Sequence, residues 1–162
     1  MIREVSNRFL SALELKLSPV MTAVLLAMLM WLLARYTAAF SMRPDLRIGL
    51  SLALIAAGAT VAVAGIWSFR KARTTVNPWR VNASSELVVS GVYRHTRNPM
   101  YLGLLLGLLG WGVYLANAFA LLLAPLFIPC MNRFQILPEE RALQQAYGER
   151  FLDYCRRVRR WL

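Results

Sequence analysis

Acidic residues are scarce in this 162-residue chain: eight Asp and Glu stand against nineteen Lys and Arg, for a formal charge of +11. Histidine occurs once and cysteine twice. Cys130 and Cys155 are too few for a disulfide framework, and neither belongs to a Cys-x-x-Cys knuckle, so both read as free thiols and no metal site is expected. No Gly-x-Gly-x-x-Gly follows a strand and opens a helix, which excludes a dinucleotide fingerprint and a soluble nucleotide fold. No internal repeat, low-complexity run or Pro/Ser-rich linker divides the chain, so it reads as one domain, 1–162. The most informative absence is of charge itself, which is missing over long apolar stretches in a chain that is 58% hydrophobic.

Those stretches mark membrane spans, because an Arg or Lys at mid-bilayer costs about 2.5–3.5 kcal/mol. Eighteen residues lie between Lys16 and Arg35, and twenty-two between Arg47 and Arg70. Each matches the roughly 20 residues that cross a bilayer as a helix. From Asn98 to Asn132 run 35 uncharged residues, too long for one helix and slightly short for two. A tight helical hairpin turning near Tyr114 to Asn117 fits. The expected fold is therefore all-α and polytopic, with four transmembrane helices at about 17–34, 48–69, 99–114 and 117–132, a loop at 70–98 and a tail at 133–162. Under that division sixteen Lys and Arg fall on one side and three on the other. The positive-inside tendency puts both termini and the 70–98 loop in the cytoplasm. No clear signal-peptide cleavage site is seen, so the first segment is expected to stay as an anchor. The basic residues are confined between apolar runs, which fits anionic lipid headgroups as partners rather than nucleic acid.

Outside the spans, Ile2, Val5, Phe9, Leu13 and Leu17 recur at helical spacing, as in a helix lying in the interface. Leu143, Tyr147, Phe151, Tyr154, Val158 and Trp161 repeat the same period with arginines between them, and predict an amphipathic tail helix against the cytoplasmic surface. Three features go beyond a simple anchor. Arg97 precedes Pro99, which opens the third span, and so stands at a helix N-terminus that disfavours a cation; it is either a topology-setting flank or an anion site. Gly103, Gly107, Gly110 and Gly112 let another backbone come close, by default for helix packing and alternatively to form a cofactor groove. Glu139 and Glu140 follow Pro138, as suits a helix start, and equally suit a bound ligand. His95, among loop arginines, reads as solvated surface or as a base.

Together these residues resemble the isoprenylcysteine carboxyl methyltransferase family and its phospholipid methyltransferase relatives, membrane enzymes that use S-adenosylmethionine. The resemblance covers 77–162. One hallmark, Arg-His-Pro-x-Tyr-x-Gly after a Gly-x-Tyr lead-in, is seen as Gly91-Val92-Tyr93 and Arg97-Asn98-Pro99-Met100-Tyr101-Leu102-Gly103. The second is seen as Glu139-Glu140, Leu143, Tyr147-Gly148, Phe151 and Tyr154. Asn98 stands where the eukaryotic enzymes carry His; it can hydrogen-bond but cannot act as a base.

The resemblance implies that the hairpin mouth and tail enclose S-adenosylmethionine. Arg133 would hold its carboxylate and Glu139 or Glu140 its ammonium, with adenine and ribose against Tyr101 and the surface near Gly103. Asn98 joins this cofactor set, and Arg97 is the expected catalytic residue, orienting an anionic acceptor. The implied activity is methyl transfer to a lipophilic or membrane-partitioning acceptor, a carboxylate or thiol favoured, in a bacterial inner membrane. Phospholipid amine N-methylation is the alternative, since it needs a base. A non-catalytic carrier or assembly subunit is a further one, although no ionisable group lies mid-span, which counts against transport.

Overall fold

The computed structural model describes residues 18–72 and 86–162, and every regular element among them is helical. Helix α1 runs Pro19–Tyr36, α2 Pro44–Lys71 and α3 Pro99–Leu115. Helix α4, Ala118–Tyr147, is continuous through one 3-10 turn and one π turn, and α5 is Glu149–Arg157. Each of the first three opens on proline, whose fixed φ suits the first helical turn and whose missing N–H has no partner there in any case. The interfacial helix expected over Ile2 to Leu17, and the Asn77-Pro78-Trp79 stretch, lie outside the described residues.

Three helices, α1, α2 and α4, are long and apolar enough to cross a membrane. The apolar α3 is shorter, at 17 residues. Their outward faces carry Val24, Leu25, Met28, Leu52, Val63 and Trp67, all exposed, as lipid-facing positions are. Helices α2 and α3 pack along most of their length through small residues. A Cβ on Gly103 would lie 2.5 Å from the Gly58 carbonyl oxygen, so only glycine allows that approach. Farther along, Ser51 donates to the Gly110 carbonyl at 2.8 Å. The core beneath is apolar, with Met30, Leu108, Phe127, Met131 and Ile136 buried together.

The hairpin turn falls at Ala116 and Asn117, inside the expected window. Ala116 takes a left-handed conformation, φ 48°, and Asn117 caps α4 by accepting from the Ala120 N–H at 2.9 Å. Asn117, fully buried, also donates to Thr37 Oγ1 at 2.8 Å and to the Ala38 carbonyl at 3.1 Å. The hairpin turn and the α1–α2 connection are thereby tied at one end of the bundle.

At the other end the structure differs from the expectation in two ways. Pro138 does not start a helix; it sits inside α4, directly after a π turn at Asn132–Ile136. The wider turn accommodates a ring that would otherwise collide with the carbonyl four residues back. The tail is also not one amphipathic helix. Gly148, at φ 53° and ψ −128°, ends α4 in a conformation essentially closed to other residues, and Val158 is extended. The apolar positions of α5, Phe151 and Tyr154, turn inward and are buried within the protein.

Candidate functional site

A cavity of about 150 Å³ opens where the ends of α2, α3 and α4 meet α5. Its position follows from local sequence. Pro99 starts α3, so Arg97 and Asn98 fall at the cavity's edge and Tyr101 one turn in. On α4, Ile136, Glu139, Glu140, Leu143 and Tyr147 form a helical stripe that faces it. Phe151 and Tyr154 of α5 and Tyr93 of the 3-10 turn Gly91–Arg94 complete an aromatic wall. Tyr93 meets Phe69 edge to face at 5.4 Å, and the Tyr154 hydroxyl donates to the Tyr93 carbonyl at 2.8 Å.

The two adjacent glutamates have different partners. Glu140 accepts from Arg97 at 2.9 Å and from both Nε and Nη2 of Arg160, at 3.1 and 2.6 Å. It thus lies between two guanidiniums, in charge-assisted hydrogen bonds to both. Glu139 accepts from the Tyr101 hydroxyl at 2.6 Å. It lies on the polar stretch of α4, beyond the charge-free residues that end at Asn132. Burial pushes its carboxyl up to about 7, with the Tyr101 bond opposing and Glu140 adding to the rise. Burial likewise raises the phenols of Tyr93 and Tyr154, so both stay protonated as donors. The Nε of Arg97 is buried and meets no acceptor among the described residues. A donor left so costs about 1–3 kcal/mol.

Of the expected site residues, Arg97, Asn98, Tyr101, Glu139 and Glu140 line this one cavity. Gly103 and Arg133 do not. Gly103 packs against the Gly58 backbone and borders a separate apolar groove between α1, α2 and α3. Arg133 stands three residues before Ile136 and would share its face on a regular helix. The π turn adds a residue to the turn and swings it off by about 100°. Its guanidinium lies 5.7 Å from the Phe134 ring. Asn98 spends its side-chain N–H on the Arg160 carbonyl at 2.9 Å. His95 is exposed. Arg160, which sits in irregular chain where no period marks it, and Phe69, an apolar residue like its neighbours on α2, carry no signal in the sequence.

Fold and site define a helical membrane protein with a polar, aromatic-walled cavity at one end of its apolar helices. A family model described as phospholipid methyltransferase matches residues 46–150, from the start of α2 into α5, and the chain belongs to that family of membrane methyltransferases. An uncharacterized protein of Haemophilus influenzae is 46% identical over 63 residues, which cover 39% of this chain and all of the relative. No solved structure matches the chain.

Proposed function

We propose that the protein transfers a methyl group from S-adenosylmethionine to a lipophilic acceptor at the cytoplasmic face of a bacterial inner membrane, with four spans and both termini cytoplasmic. One observation carries this reading. The cavity is lined by an arginine and by a carboxylate that is bonded to a phenol rather than to a cation. That pairing fits the carboxylate and ammonium at the amino-acid end of S-adenosylmethionine. Arg97 takes the carboxylate role first expected of Arg133, and Glu139 the ammonium role. Glu140 serves instead to hold Arg97. When bound, the cofactor supplies an activated methyl on a sulfonium centre. The rings of Tyr93, Tyr147 and Phe151 offer faces that favour a cation. The walls exclude water, and the rate comes from holding donor and acceptor in line.

A second reading is favoured by Glu139 and by the family. A carboxyl near 7 at the reaction centre could remove the proton from an amine headgroup, the step a phospholipid amine acceptor requires. With Glu139 engaged by the cofactor, the acceptor must arrive as a carboxylate or thiolate. With Glu139 as the base, an amine serves.

Calorimetry of S-adenosylmethionine on detergent-purified protein, comparing the parent with Arg97→Lys and Glu139→Gln, tests both. Saturable parent binding, weakened about tenfold or more in Arg97→Lys, is the expected result, the worth of one charge-assisted hydrogen bond. Weaker binding in Glu139→Gln supports the ammonium role; unchanged binding with a collapsed turnover supports the base. Absence of parent binding in several lipid mimetics overturns the enzyme reading.

A further inference from the structure

Residues 158–162 leave α5 as irregular chain and cross back over the start of α3. Three bonds tie the crossing. The Arg97 N–H donates to the Arg159 carbonyl at 3.1 Å, the Thr96 hydroxyl to the Arg160 carbonyl at 3.3 Å, and the Asn98 side chain to the same carbonyl at 2.9 Å. Two more reach α4. The Arg160 guanidinium grips Glu140 with both Nε and Nη2, and the Trp161 indole donates to Asn132 Oδ1 at 3.0 Å. Trp161 packs on the apolar core. One short segment thus holds the N-terminus of α3, the first residue of the π turn and the second glutamate.

We infer that this segment is a strap whose Arg160 positions Arg97 for its ligand. The reasoning runs through Glu140. Arg97, which lines the cavity, keeps one guanidinium nitrogen on Glu140. A carboxylate held on one side alone could rotate and carry Arg97 with it. Arg160 removes that freedom, because a planar fork bound at two points fixes the carboxylate plane. The main-chain carbonyls of Arg159 and Arg160 meanwhile fix the backbone from which Arg97 and Asn98 project. None of the strap residues lines the cavity, so Arg160 acts through Arg97 and not on the ligand. The same geometry gives Asn98 its part: it is a fastening for the strap and moves no proton.

The inference rests on the proposed cofactor reading, and the test separates the two. Binding of S-adenosylmethionine is measured by calorimetry on the parent, Arg160→Ala, Arg160→Lys, Arg97→Lys and the Arg97→Lys/Arg160→Ala double variant, all shown to elute as folded protein. Hydrogen exchange is followed over 94–99 in the same samples. Expected are about tenfold weaker binding in Arg160→Ala, a smaller loss in Arg160→Lys, and faster exchange at Arg97. On the Arg97→Lys background, Arg160→Ala should cost little more, since coupled residues do not add. Parent-like affinity in Arg160→Ala, or a loss that adds in full to that of Arg97→Lys, overturns the inference. If Arg160→Ala does not fold, Arg160→Lys, which reduces the two-point grip on Glu140 to one point, is read in its place. Should the parent itself not bind, the cofactor reading falls, and exchange alone decides the strap: unchanged rates at 94–99 overturn it, faster rates uphold it.

Discussion

Glu139 and Glu140 are neighbours in sequence with opposite duties, and the difference is set by what each meets. Glu140 lies between two guanidiniums, while Glu139 is half-buried beside a phenol. Two pH trends of opposite sign follow. In the protein without ligand, the fold favours the protonated Glu139 carboxyl. Stability therefore declines as pH rises from about 4.5 to about 7 and then levels, a trend that Glu139→Gln removes from melting curves. Binding of an ammonium favours the carboxylate form, so cofactor affinity weakens as pH falls through about 7, approaching about tenfold per pH unit. A parent whose affinity is flat from pH 5.5 to 8 rules out Glu139 as the ammonium partner. Both acids were legible in the sequence as a pair; their division of labour was not, because it depends on Arg160, which lies twenty residues on and returns to Glu140 only after α5 has ended.

At the scale of elements, the spans were readable because charge in hydrocarbon is costly enough to leave gaps between arginines. Helix geometry inside the gaps was less so. The π turn at Asn132–Ile136 is what takes Arg133 off the face of Glu140, seven positions on, and a regular 3.6-residue period has no means of announcing it. Gly148 was visible as part of a motif, yet its effect is conformational: it redirects α5 so that Phe151 and Tyr154 face the cavity. Gly148→Ala forces a side chain into φ 53° and ψ −128° and should cost about 1–3 kcal/mol. Its melting temperature should drop and binding weaken together; a variant with parent-like melting would show that α5 docks without that turn. Gly103→Ala meets the Gly58 carbonyl and should lower melting by overpacking, at about 1–3 kcal/mol, with binding in the surviving folded fraction unchanged.

For the whole molecule, the sequence carried fold class and family farther than it carried the cavity, since composition and motif order are properties of the chain while the cavity is made by contacts between distant parts. The four-span topology has a direct check. Single cysteines at Ala39 and Arg94, each in a Cys130→Ser/Cys155→Ser background, should react with impermeant maleimide from opposite sides of sealed vesicles. Labelling of both from one side would dismiss the proposed arrangement. The tie between Thr96 and Arg160 spans 64 positions. On a ribosome feeding helices into a bilayer one after another, α3 is therefore in place long before its partner carbonyl exists. The strap closes only once Arg160 has been added, and a copy that stops short of it carries the motif residues without that tie.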